Sequence, residues 1–157
     1  MPVSLSDFFQ FVLVHLDFLP HLGALLAAYA LALPIGWDRE QNERSAGLRT
    51  FPLVAIASCG FIQATEHFTA GSAEATARIV EGLITGMGFI GGGAILVVKN
   101  SVRGTATAAS LWATGAVGTA VGLGSYDTAV VLSVMTFTTL RLIKPKKDEA
   151  SEGQAGE

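Results

Sequence analysis

Five apolar runs, separated by short polar connections, govern what this chain can fold into. They cover residues 20–37, 50–65, 79–98, 105–123 and 126–143. A bilayer-spanning helix needs about 20 mostly apolar residues, so each run is read as a transmembrane helix. Composition agrees. Only 15% of the 157 residues are charged and half are hydrophobic, whereas soluble domains carry about 25% charged residues. The expected fold is all-α, a polytopic membrane helix bundle of five transmembrane helices.

The basic residues test that reading independently, because cytoplasmic segments collect Lys and Arg. With the N-terminus outside and the C-terminus cytoplasmic, nine of the ten basic residues fall inside and Arg78 alone falls outside. Removing any one span spoils the alternation. The expected location is a membrane bordering the cytoplasm, with the lipid bilayer as partner. Net charge is −3, so no basic surface points to nucleic acid. The single cysteine, Cys59, excludes an internal disulfide.

Three segments follow. Residues 1–19 form an N-terminal interfacial amphipathic helix, with Ser6, Asp7, Gln10 and Asp17 on one side. The alternative is that this helix lengthens the first span. Residues 20–143 form the transmembrane domain. Residues 144–157, "KPKKDEASEGQAGE", lack large apolar residues and read as a disordered cytoplasmic tail.

In lipid, helices associate through small residues that let backbones approach. The third run has Gly82-xxx-Gly86 and Gly88-xxx-Gly92; the fourth has Ser110-xxx-Thr114 and Gly118-xxx-Gly122. These serve either packing within the bundle or the seam of a homodimer or other homo-oligomer.

The charge is concentrated in "GWDREQNERSAGLRTF", where Asp38, Arg39, Glu40, Glu43, Arg44 and Arg49 lie between two apolar runs. An anchor needs only positive charge, yet here acids nearly cancel arginines. The cluster is therefore either a topology anchor or a specific lock. In the lock, Asp38 pairs with Arg49 or, across loops, with Arg103; Gly47 permits a turn and Thr50 caps the second helix.

Glu81 is the second polar feature. It lies on the face that also carries Thr85, Gly88 and Gly92, with Arg78 three residues before it. It is either an ion pair with Arg78 or a cation- or proton-binding group. In "KNSVRGTATAASLW", Lys99 and Arg103 join the cytoplasmic charges, Gly104 breaks the chain, and Thr105 or Thr107 can cap the following helix. No nucleophile–base constellation and no phosphate-cradling loop is visible, so the protein is read as a non-enzyme. A hard divalent cation is the one candidate cofactor. Asp38, Glu40 and Glu81 are its candidate ligands, but Glu81 falls near the opposite face from the other two.

These motifs, in this order, resemble the MgtC/SapB family of bacterial membrane proteins. The matching stretches are "GWDREQNERSAGLRTFPLVA", "ARIVEGLITGMGFIGGGAIL" and "SVRGTATAASLWATGAVG". The family's acidic–Arg–Glu motif falls on Asp38, Arg39 and Glu40, and its A-G-L-R-T on Ala46 through Thr50. Its glycine motif falls on Gly86, Gly88, Phe89, Gly91 and Gly93, and its V-R-G on Val102, Arg103 and Gly104. The resemblance implies an inner-membrane protein tied to magnesium limitation and stress. Such a protein either regulates a membrane ATPase or another membrane partner, or carries Mg²⁺. Longer members add a soluble C-terminal domain where this sequence has a polar tail, and Glu81 stands where a neutral residue is expected. The reading is a non-enzymatic regulator of ion (Mg²⁺) homeostasis or stress adaptation; the alternative is a divalent-cation transporter or channel.

Overall fold

The computed structural model describes residues 5, 9, 10, 18–41, 46–69, 71–98 and 101–143. The expected interfacial helix, all but its Leu5, Phe9, Gln10, Phe18 and Leu19, and the tail at 144–157 lie outside the described residues, as do Glu43, Arg44 and Lys99. The elements in chain order are α1 (Phe18–Gln41), α2 (Thr50–Thr69), α3 (Ala73–Gly93), β1 (Leu96–Val98), β2 (Ser101–Arg103), α4 (Thr105–Gly122) and α5 (Tyr126–Leu142). The architecture is a helical bundle with one small hairpin. Among the described residues, one helical stretch, Leu19–Gln41, is long and apolar enough to cross a membrane by length and composition.

Helices α1 and α2 each run four residues beyond the predicted spans, to Gln41 and Thr69, and the larger differences lie around α3. The helix starts at Ala73, six residues before the apolar run. Ser72 is its N-cap, its hydroxyl accepting the Ala75 N–H at 3.2 Å. Glu74 in the first turn complements the helix dipole. The helix also ends early, at Gly93. Ala94 N–H then bonds to the Gly91 carbonyl and Ile95 N–H to the Gly92 carbonyl, at 3.0 and 3.1 Å. What was read as the end of a span becomes an antiparallel hairpin pairing Leu96 with Arg103 and Val97 with Val102. The β-branched residues explain the change, since they suit a strand and three adjacent glycines weaken the helix before it.

Helix α4 is the hub, packing against all four other helices. Its small residues make that possible. A Cβ on Gly118 would collide with the backbone of Ala55 on α2, and one on Gly122 would lie 2.8 Å from the Ile62 Cβ and 3.0 Å from the Cys59 carbonyl. A Cβ on Gly115 would lie 2.8 Å from Met87 of α3. On α1, Ala24, Ala28 and Ala32 recur every four residues and are buried against Ala55, Cys59, Val117 and Val121. This half of the core is made of short side chains, so backbones approach and dispersion contacts replace large apolar burial. The other half is bulkier, with Ile35, Phe51, Val54, Met87 and Leu111.

Hydroxyls are absorbed within this apolar frame. Thr114 bonds back to the Ser110 carbonyl at 2.8 Å, Thr119 to Gly115 at 2.9 Å and Thr85 to Glu81 at 2.9 Å. Ser133 of α5 crosses instead, donating to the Leu31 carbonyl of α1 at 2.6 Å. That carbonyl lies one turn before Pro34, the proline inside α1.

Candidate functional site: a buried charge pair at one end of the bundle

The C-terminal ends of α1, α3 and α5 and the N-terminal ends of α2 and α4 gather at one end of the bundle, floored by Ile35, Phe51 and Leu111. The buried face of α1 that starts with its alanines continues through Ile35 to Asp38 and Arg39, three and four residues on. The helical repeat therefore turns both charges inward. Asp38 is 3% exposed and Arg39 6%. The Arg39 guanidinium grips one carboxylate oxygen of Asp38 with Nη2 at 2.6 Å and Nε at 3.2 Å. The other oxygen lies 4.0 Å from Arg141 Nη1, whose side chain is 60% exposed on α5. Charges removed from water need such hydrogen-bonded pairing, because a lone one costs several kcal/mol. The geometry thus gives Asp38 to Arg39 and Arg141, where the sequence pointed to Arg49 or Arg103. Arg141 was missed because it stands more than a hundred residues later, and no local spacing announces the contact.

Glu40 does different work. One of its oxygens accepts the Leu48 N–H at 3.1 Å. The Gly47 carbonyl accepts the N–H groups of Thr50 and Phe51 at 3.0 and 3.1 Å, so the first turn of α2 is already wound there. Leu48 N–H is one of the donors that a helix start leaves without an intrahelical partner. The carboxylate satisfies it and complements the positive end of the helix dipole. This fills the capping role the sequence assigned to Thr50. Gly47 leaves room for this carboxylate, since a Cβ there would push the Glu40 carboxylate away from the Leu48 N–H. Gly36 of α1 faces the same turn; its Cβ would sit 3.3 Å from the Gly47 carbonyl and from the Phe51 Cβ.

The α4 side of this end is shaped by Gly104, the N-cap of α4, with φ +89° and no side-chain capping bond. A Cβ there would also collide with the Ala94 carbonyl. The caps expected of Thr105 or Thr107 are therefore replaced by a backbone that glycine alone adopts easily. Arg103 is exposed on β2, pairing in register with Leu96. Arg49 is exposed and lines a groove between α2 and α3.

Glu81 stands apart from this end. It is exposed, and Thr85 bonds to its backbone carbonyl. Its expected partner Arg78 instead pairs with Glu74 at 2.9 Å, one turn earlier, with both side chains more than three-quarters exposed. Gly82, Gly86, Gly88 and Gly92 each have nothing within 4 Å of where a Cβ would stand, so among the described residues they meet no close-packed helix. Of the predicted packing residues, Gly118 and Gly122 lie at tight α2–α4 contacts. Gly115 was not singled out from the sequence, lying outside the four-residue spacing that flagged the others. Among the described residues, no group of three or more His, Cys, Asp or Glu side chains is gathered to hold a metal ion. Asp38 and Glu40, two of the three candidate ligands, are engaged by arginines and a backbone N–H, and the third, Glu81, is on another helix.

Fold and site together define a small helical bundle built on a central small-residue helix, with its charge chemistry closed over at one end. The model of the MgtC family matches residues 25–148, and the chain belongs to that family. It is 36% identical over 116 residues to Protein MgtC of Salmonella typhimurium, an alignment covering 74% of this chain and 49% of the relative. It is 36% identical over 127 residues to the Escherichia coli K12 protein named "Putative magnesium transporter YhiD", covering 75% of this chain and 57% of that one. An uncharacterized Haemophilus influenzae protein is 34% identical over 134 residues, covering 80% and 56%. The chain spans about half the length of these curated relatives. No solved structure matches it. MgtC-family proteins are membrane proteins, and α1 has the length and composition for a membrane-crossing helix.

Proposed function

We propose that this chain is a multi-pass inner-membrane regulator of ion homeostasis, Mg²⁺ foremost. It acts on membrane partner proteins, a membrane ATPase among the candidates, and performs no catalysis. The observation that carries this reading is the engagement of Asp38. Its carboxylate is buried, hydrogen-bonded by Arg39 and 4.0 Å from Arg141 on another helix, which suits a lock fixing the shape of one bundle end. A transport site for a hard cation needs several free oxygen ligands around one point. Magnesium is suggested by the name of the E. coli relative. In this reading all five helices cross the bilayer, the N-terminus is outside, and the charge-locked end faces the cytoplasm, as the distribution of Lys and Arg favours. The open glycine face of α3 suits a homo-oligomer, most simply a dimer.

A Mg²⁺ flux assay in proteoliposomes tests the choice. The regulator gives no protein-dependent flux, while expression of the same protein alters growth of cells under magnesium limitation. Protein-dependent flux abolished by Asp38→Asn overturns the regulator and establishes the transporter.

A further inference from the structure

The groove between α2 and α3 encloses about 930 Å³ and is lined almost wholly by apolar groups, Leu53, Phe61, Leu83 and Phe89 among them. Its depth comes from Gly82 and Gly86, which line it without side chains and meet nothing within 4 Å. Along α2 it runs from Arg49 to Thr65, about 24 Å at 1.5 Å per residue. One leaflet's hydrocarbon is about half of ~30 Å, so the groove has room for a whole acyl chain. Arg49 stands at one mouth. Among the described residues it forms no ion pair, whereas Arg39 is paired with Asp38 at 2.6 Å and Arg141 lies 4.0 Å from the same carboxylate. The nearby carboxylate of Glu40 is engaged by Leu48 N–H.

We infer that this groove binds an anionic phospholipid, with the headgroup phosphate on Arg49 and one acyl chain along the glycine floor. The pairing follows from charge and shape together. A cation at the water-facing end of an apolar channel matches a phosphodiester joined to a hydrocarbon tail. The inference goes beyond the regulatory reading and does not depend on whether the chain transports ions.

The test is native mass spectrometry of the detergent-purified chain with equimolar phosphatidylglycerol and phosphatidylcholine of identical acyl chains. The expected result is retention of phosphatidylglycerol with about fivefold preference, the ratio that about 1 kcal/mol per basic residue supplies. Arg49→Gln abolishes that preference and Arg49→Lys keeps most of it. Gly86→Leu, which raises the floor, lowers retention of both lipids. Equal retention by the parent, or an undiminished preference in Arg49→Gln, overturns the inference. So does a change in subunit number with unaltered lipid retention in Gly86→Leu, which assigns the groove to a second copy.

Discussion

Glu40, in the last turn of α1, holds the Leu48 N–H at 3.1 Å and thereby closes the start of α2 from outside that helix. Two consecutive helices are fixed to each other by one carboxylate, with Gly47 leaving room for it. Glu40→Ala is expected to cost about 0.5–2 kcal/mol, the range for losing a helix cap. Glu40→Gln should lose less, since an amide oxygen still accepts the bond. Gly47→Ala should destabilise even with Glu40 present, by pushing that carboxylate away from the Leu48 N–H. Unfolding of detergent-solubilised variants, followed by circular dichroism, checks the order.

Removing either partner of the buried Asp38–Arg39 pair strands the other. Asp38→Asn and Arg39→Gln are each expected to destabilise by about 3–5 kcal/mol. Arg141→Gln, whose side chain is 60% exposed, should cost under about 1 kcal/mol. The double variant Asp38→Asn/Arg39→Gln should cost clearly less than the two singles together, because the groups act as one unit. Additive losses would dismiss the lock.

Glycines on the two faces should behave oppositely. Gly118→Ala drives a methyl into the Ala55 backbone and is expected to lower stability by about 1–3 kcal/mol, the range for overpacking. Gly88→Ala and Gly92→Ala meet no described atom within 4 Å and should leave the isolated chain's stability unchanged or raise it by up to about 1 kcal/mol, since Ala is the better helix former. In a homo-oligomer sealed along α3, Gly88→Leu should shift subunit number. Light scattering with detergent correction reads that shift, and unchanged assembly removes α3 from the seam.

Orientation is checked by reporter fusions after residue 143. A cytoplasm-active reporter should be active there and a periplasm-active one silent. Asp38→Asn should leave this unchanged, because the basic residues that set orientation remain.

Hydropathy and punctuation made much of the bundle legible. The starts of α4 and α5 at Thr105 and Tyr126 coincide with the sequence spans because Gly104, Gly124 and Ser125 interrupt the apolar runs. The start of α3 was hidden because "AEATAR" is polar and hydropathy reads it as a loop. The signal was Ser72 three residues before Ala75, with Glu74 between them. The hairpin was hidden because Leu96, Val97 and Val98 are as apolar in a strand as in a helix. At the site, the inward turn of Asp38 and Arg39 follows from the alanine repeat on α1, a repeat the sequence reading did not use. The Arg141 contact depends on how α5 packs back on α1, which no local pattern encodes.

The hub position of α4 has a consequence for how the chain is made. The helix against which the other described helices pack lies late in the chain, after α1, α2 and α3. At about 5–20 residues per second, the roughly 30 residues from the end of α3 through α4 take about 1.5–6 s to appear. Until then α3 lacks its main neighbour, and Ala55, Cys59 and Ile62 on α2 lack the glycines that will cover them. Assembly is thus delayed by the order of synthesis. A chain stalled before Thr105 would hold α1, α2 and α3 without the helix that joins them, a species for quality-control proteases to remove.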